Sequence, residues 1–88
     1  LAQILIVVGR VPKGHEEKQV EESLWRVAEL SRGMLEVEEL YTVWEEDGLR
    51  LFAIYRSTAD LGRRDVENIK EAVHHLGSQV RLFSAREI

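Results

Sequence analysis

"MLEVEELYTVWEEDGLRLFAIYRS", residues 34–57, contains two runs rich in β-branched and aromatic residues on either side of Asp47-Gly48. That dipeptide supports a tight hairpin, because glycine takes positive φ without a Cβ clash. The two runs therefore predict neighbouring antiparallel strands. In the first run the alternation of apolar and polar residues changes phase near Glu38-Glu39, so a bulge or a late strand start is expected there.

On the N-terminal side, "AQILIVV" (residues 2–8) is apolar at both parities, as suits a central strand. The following "HEEKQVEESLWRVAELSRG" (residues 15–33) puts Val20, Leu24, Val27 and Ala28 on one stripe of a helix. Glu16 and Glu17 fall in its first turn, where the helix dipole favours anions, and Gly33 is a natural stop. On the C-terminal side, "DVENIKEAVHHLG" (residues 65–77) aligns Val66, Ile69, Val73 and Leu76 and ends at Gly77. Asp65 is one N-cap for this helix. Asp60 is an alternative that would place Gly62 inside it at a cost of ~1 kcal/mol. "QVRLFSA" (residues 79–85) supplies a last strand. The order βαββαβ, with right-handed crossovers, is that of the ferredoxin-like α+β fold: a four-stranded antiparallel sheet, order 4-1-3-2, with both helices on one face. No linker or repeat interrupts residues 1–88, so one domain is expected.

Composition narrows the chemistry. With no cysteine, disulfides, thiolate metal sites and cysteine nucleophiles are excluded. No apolar run approaches the ~20 residues of a membrane helix, and "ILIVV" lacks the flanks of a signal peptide. A soluble domain without a membrane partner is expected, cytoplasmic if natural. The net charge is −4, divided as five basic and eleven acidic residues over 1–49 and seven basic and five acidic over 50–88. That balance disfavours nucleic acid. One Pro, one Met and one Asn among many Glu, Arg, Val and Leu resemble the usage of thermophile proteins and of computed sequences. Together with the Leu at position 1, this usage suits an excised domain or a designed or redesigned one.

The turn "VVGRVPKGHEE", residues 7–17, invites three family comparisons. Gly9 and Gly14 have P-loop spacing, but His15 and Glu16 stand where a Lys and a magnesium-binding hydroxyl are needed. "GRVPKG" resembles the phosphate loop of acylphosphatases at Gly9, Arg10 and Val11. Pro12-Lys13 then replaces the family's glutamine, no arginine follows until Arg26, and "LEVEELYTVWEE" has no asparagine to place water. "IVVGRVP" (residues 6–12) and "GLRLFAIY" (residues 48–55) resemble the two strand signatures of RNA-recognition motifs. That resemblance implies RNA stacking on the sheet, with the family's aromatic positions falling on Val7, Arg50 and Phe52. Only Phe52 is a ring, although Arg50 can also stack on a base. ACT domains, small-molecule regulatory modules that pair in this fold, are a further resemblance, with Gly14-His15 in place of their Gly-Leu loop.

Elsewhere the bland reading prevails. His74 and His75 point about 100° apart on a helix, and His15 is distant in sequence, so no metal site is expected. Glu38, Glu39, Glu45, Glu46 and Asp47 lack EF-hand spacing and suit an edge-strand guard. Ser23, Ser31, Ser57, Ser78 and Ser84 show no nucleophile elbow and no evident paired base. Trp25 and Trp44 read as packing anchors. If Ile4, Ile6 and Val8 face the helices, then Leu5, Val7, Phe52, Ile54 and Phe83 line the opposite sheet face, with Arg50, Arg56 and Arg81 among or beside them. The expectation is a non-enzymatic scaffold or protein-interaction domain without catalytic residues, metal or cofactor. Its candidate contact face comprises Leu5, Val7, Arg50, Phe52, Ile54, Arg81 and Phe83, offered to a second copy or another protein. An RNA binder using Arg50 and Phe52 and an ACT-like ligand domain are the alternatives.

Overall fold

The mid-chain hairpin forms as two long strands, β2 (Leu35–Glu45) and β3 (Gly48–Ser57). This computed structural model describes residues 2–12, 14, 17–31, 33–77 and 79–85; the expectations placed on Lys13, His15, Glu16 and Ser78 lie outside them. Glu45 pairs with Gly48, so the two-residue loop is Glu46-Asp47, and the glycine opens β3 rather than sitting in the turn. The register shifts between Val37 and Glu39, as the phase change predicts. That extra residue lets Val37 and Leu40, three apart, both pack against the core.

Around the hairpin lie β1 (Ala2–Pro12), α1 (Glu17–Leu30), α2 (Arg63–Val73) with a 3₁₀ turn at His74–Leu76, and β4 (Gln79–Ala85). The sheet order is β2-β3-β1-β4, and every neighbouring pair is antiparallel. This is the expected 4-1-3-2 arrangement read from the other edge, with the first and third strands central.

The core lies between one sheet face and the helices. Val20, Leu24 and Val27 of α1 and Ile69 and Val73 of α2 are buried against Leu5, Val7, Val11, Leu49, Leu51, Ala53 and Tyr55. Here the structure corrects the phase expected for β1. Leu5 and Val7 are both 0% exposed and belong to the helix side, where they pair with Tyr55 and Ala53. Ile4, Ile6 and Val8 take the open side instead. The cause is pairing: β3 alternates Leu49, Leu51, Ala53 and Tyr55 with Arg50, Phe52, Ile54 and Arg56. Its arginines must reach water, and β1 follows β3 in register.

Local chemistry sets the helix ends. Ser31, just past α1, donates its hydroxyl to the Ala28 carbonyl (2.7 Å) and accepts the Leu35 N–H (3.2 Å), turning the chain into β2. Neither Asp65 nor Asp60 is the N-cap of α2. Gly62 holds that position in extended backbone, and Asp65 reaches back from the first turn to accept the Gly62 N–H at 3.0 Å. Gly77 adopts φ +59, and its Cα hydrogen faces the Arg10 carbonyl so closely that a Cβ would lie 2.8 Å from that oxygen.

The tryptophans are not core anchors, contrary to expectation. Trp25 follows Leu24 on α1, a step of about 100° off the buried stripe, and is 55% exposed. Trp44 overhangs the outer edge of the sheet at 57% exposure. Its indole N–H and the Thr42 hydroxyl both donate to the Glu17 carboxylate, at 3.1 and 2.8 Å, tying the start of α1 to β2.

Candidate interaction face

The helices cover one side of the sheet, and the other side is open. Register fixes its composition as rows of residues crossing the strands. One row runs Glu36, Arg56, Ile4, Phe83; the next Glu39, Ile54, Ile6, Arg81; the third Tyr41, Phe52, Val8, Gln79. Beyond the end of β4 a shorter row holds Val43, Arg50 and Arg10. Of the expected residues, Arg50, Phe52, Ile54, Arg81 and Phe83 occupy this face, whereas Leu5 and Val7 lie beneath it in the core.

Sequence reasoning missed Ile4, Ile6, Val8, Tyr41 and Val43. A signal was present: Arg10 shares parity with Val8, Ile6 and Ile4, so extending β1 to Arg10 places all four on the wet side. Tyr41 and Val43 are about half exposed, as is Phe83, and Val8 somewhat less. The apolar surface is therefore contiguous and spans four strands.

Charges frame it. Arg56 pairs with Glu38 across the bulge at 3.2 Å. At the hairpin end Arg50 pairs with Glu45, and Arg10 contacts both Asp47 and, at 3.8 Å, Glu45. Both guanidinium groups at the hairpin end therefore meet an acid, Arg50 at Glu45 and Arg10 at Asp47. Tyr41 donates to the Glu39 carboxylate at 2.6 Å, and that hydrogen bond, with the adjacent negative charge, raises the phenol above its ordinary pKa.

The helix side offers one polar contact that sequence reading did not foresee. Ser23 of α1 and His75 of the 3₁₀ turn after α2 meet at 3.1 Å, in an open groove of 560 Å³ also lined by Arg26, Leu30, Asn68 and Glu71. The Ser23 hydroxyl also lies 3.0 Å from the Gln19 carbonyl one turn earlier, to which it donates, and the imidazole tautomer sets the direction of its bond to His75. Among the described residues no group of three or more His, Cys, Asp or Glu is placed to hold a metal ion, and no helix is long and apolar enough to cross a membrane.

No protein-family model and no curated protein sequence matches the chain. Similarity to solved structures is extensive in shape and low in sequence. The de novo designed protein Foldit4 superposes with a TM-score of 0.68 at 14% identity, covering 98% of this chain and all of that one. An ACT domain protein from Streptococcus pneumoniae gives 0.59 at 14% identity, over 93% and 86% of the two chains. Ribosomal protein S6 from Thermotoga maritima gives 0.59 at 12% identity, over 94% and 87%. The chain also matches a formyltetrahydrofolate deformylase from Pseudomonas putida at 0.62 and 15% identity, spanning 29% of that enzyme. At such identities the likeness is one of fold, and with the strand order and helix placement it establishes a ferredoxin-like α+β fold.

Proposed function

We propose that this domain acts without catalysis, as a scaffold or protein-interaction module whose contact surface is the open sheet face. The observation that carries this reading is the continuous apolar strip in which exposed Val8, Tyr41 and Val43 adjoin half-buried Ile4, Ile6, Phe52 and Ile54, on the side that neither described helix covers. Contiguous apolar surface rimmed by charge is typical of protein contacts. Similarity to a designed protein of much the same length suits a chain in which the fold itself is the principal product.

A second reading is supported by Tyr41. It stands directly opposite Phe52 on β3, giving the open face two adjacent rings where the RNA-recognition resemblance supplied one. Stacked bases are worth ~1 to 3 kcal/mol each, but the Glu39 carboxylate, hydrogen-bonded to Tyr41, sets a negative charge beside these rings.

Hydroxyl-radical footprinting tests the main reading, comparing the dilute purified chain with the chain in an extract of its expressing cell. Protection of Tyr41, Phe52 and Phe83 with unchanged oxidation of Trp25 is expected. Equal oxidation of all four in both samples contradicts it. Retention on single-stranded RNA that falls steeply with salt would favour the second reading.

A further inference from the structure

The rows of the open face have a directional charge pattern. The middle row reads acid, apolar, apolar, base: Glu39 on one edge strand, Ile54 and Ile6 at the centre, Arg81 on the other edge strand. The acidic side continues along β2 with Glu36 and Glu38, all exposed, while the β4 side of the same face carries Arg81 and no acid among its described residues. Such a row is complementary to itself when reversed.

We propose that the open face packs against the same face of a second copy of this chain, about a twofold axis parallel to the strands. That rotation lays β2 of each copy over β4 of the other and sets Glu39 opposite Arg81 of the partner subunit, twice per dimer. Ile54 then meets Ile6 of the partner subunit, and Phe52 meets Val8 of the partner subunit. The other face-to-face twofold, with its axis across the strands, keeps β2 over β2 and β4 over β4. It stacks acid on acid and base on base. The charge pattern therefore selects one of two symmetric solutions. The Arg10 and Arg50 row lies past the end of β4 and carries its own counter-ions in Glu45 and Asp47, so it enters the dimer neutral.

Area fits as well. At ~4.8 Å between strands and ~3.3 Å per residue, the face offers about 500 Å² per copy, or about 1,000 Å² in total, the lower end for specific interfaces. The dimer is thus weak, and its mass depends on concentration. This inference rests on the interaction reading above and gives that reading its partner.

Sedimentation equilibrium over a concentration series tests it, using the wild type, E39R, R81E, an equimolar mixture of the two variants, and the double variant. Both residues are exposed on edge strands, and circular dichroism confirms that each variant is folded. The wild-type mass is expected to rise from 10.2 kDa towards twice that value. Each single variant should need roughly five-fold or more higher concentration to dimerise, because two attractive pairs become repulsive. Mixing the two variants should restore wild-type association, since the mixed dimer holds one native acid–base pair and one with its charges exchanged. The double variant, with both pairs exchanged, should do the same.

Rescue on mixing cannot arise from effects within one chain. A wild-type chain that stays monomeric up to about 1 mM overturns the proposal, as does a dimer indifferent to both swaps. Monomeric behaviour with the footprint above intact would discard the homodimer alone and leave another protein as the occupant. Loss of both would remove the interaction reading too.

Discussion

Tyr55 shows how one residue joins the two layers. Its ring fills the space beneath α1, wholly buried, and its hydroxyl donates to the Leu24 carbonyl. Burial pushes its pKa well above the ordinary 10.0. The unfolded chain therefore releases this proton near pH 10 while the folded chain keeps it. The resulting contribution to stability is complete below pH 10 and declines as pH rises beyond it. Tyr55→Phe should cost about 1 kcal/mol at neutral pH and remove most of the alkaline decline in urea-unfolding stability above pH 10. The exposed Tyr41 is left to supply any residual slope through Glu39. Gly77 makes a second residue-level case. Gly77→Ala combines a left-handed backbone with a Cβ 2.8 Å from a main-chain oxygen, and should lower stability by about 1 to 3 kcal/mol. Gly62→Ala, at φ −77 with only the Asp65 side chain at 3.4 Å, should change stability by less than about 1 kcal/mol in the same denaturation assay.

At the scale of elements, β1 is decisive because every residue from Ile4 to Val8 is apolar. Within that run neither parity advertises itself as buried, and the pairing with β3 makes Leu5 and Val7 core. The hairpin, the bulge after Val37 and the α1 stripe were legible because their signals are local: a turn dipeptide, two consecutive acids, a spacing of three and four. The phase of β1 was harder to read, since its one local signal, Arg10, lies beyond the apolar run and the rest is set by the distant partners Ala53 and Tyr55. The start of α2 escaped for a different reason. A carboxylate at Asp65 can serve the first turn from within it, so the acid marked the helix end without being its cap. The same gap divided the candidate face, placing Arg50, Phe52, Ile54, Arg81 and Phe83 on it and wrongly adding Leu5 and Val7. Paired substitutions at adjacent residues check the corrected phase. Val7→Lys should bury an unpaired ammonium and abolish cooperative unfolding, whereas Val8→Lys should shift stability by about 0.5 kcal/mol or less.

For the whole molecule, the unequal treatment of the two sheet faces connects fold to function. One face is closed by Val20, Leu24, Val27, Ile69 and Val73; the other carries an apolar strip that neither described helix covers. Framing by Arg10, Arg50 and Arg56 with Glu38, Glu45 and Asp47 adds charge at the rim without filling the centre. Raising ionic strength should therefore weaken any assembly through this face only modestly, since the apolar centre is insensitive to screening while the Glu39–Arg81 contacts are not. A dissociation constant that changes more than about ten-fold between 50 mM and 500 mM salt would instead point to binding dominated by charge.

The most direct test of the open face as the surface on which two copies of this chain meet is a methyl-detected NMR dilution series on the isoleucine, leucine and valine residues of the wild-type chain. Concentration-dependent shifts confined to Ile4, Ile6, Val8, Val43 and Ile54, with Leu5, Val7, Val20 and Leu24 unmoved, are the predicted result. Shifts centred on Leu30 and the outer helix surface, or none across the whole series, would contradict the account.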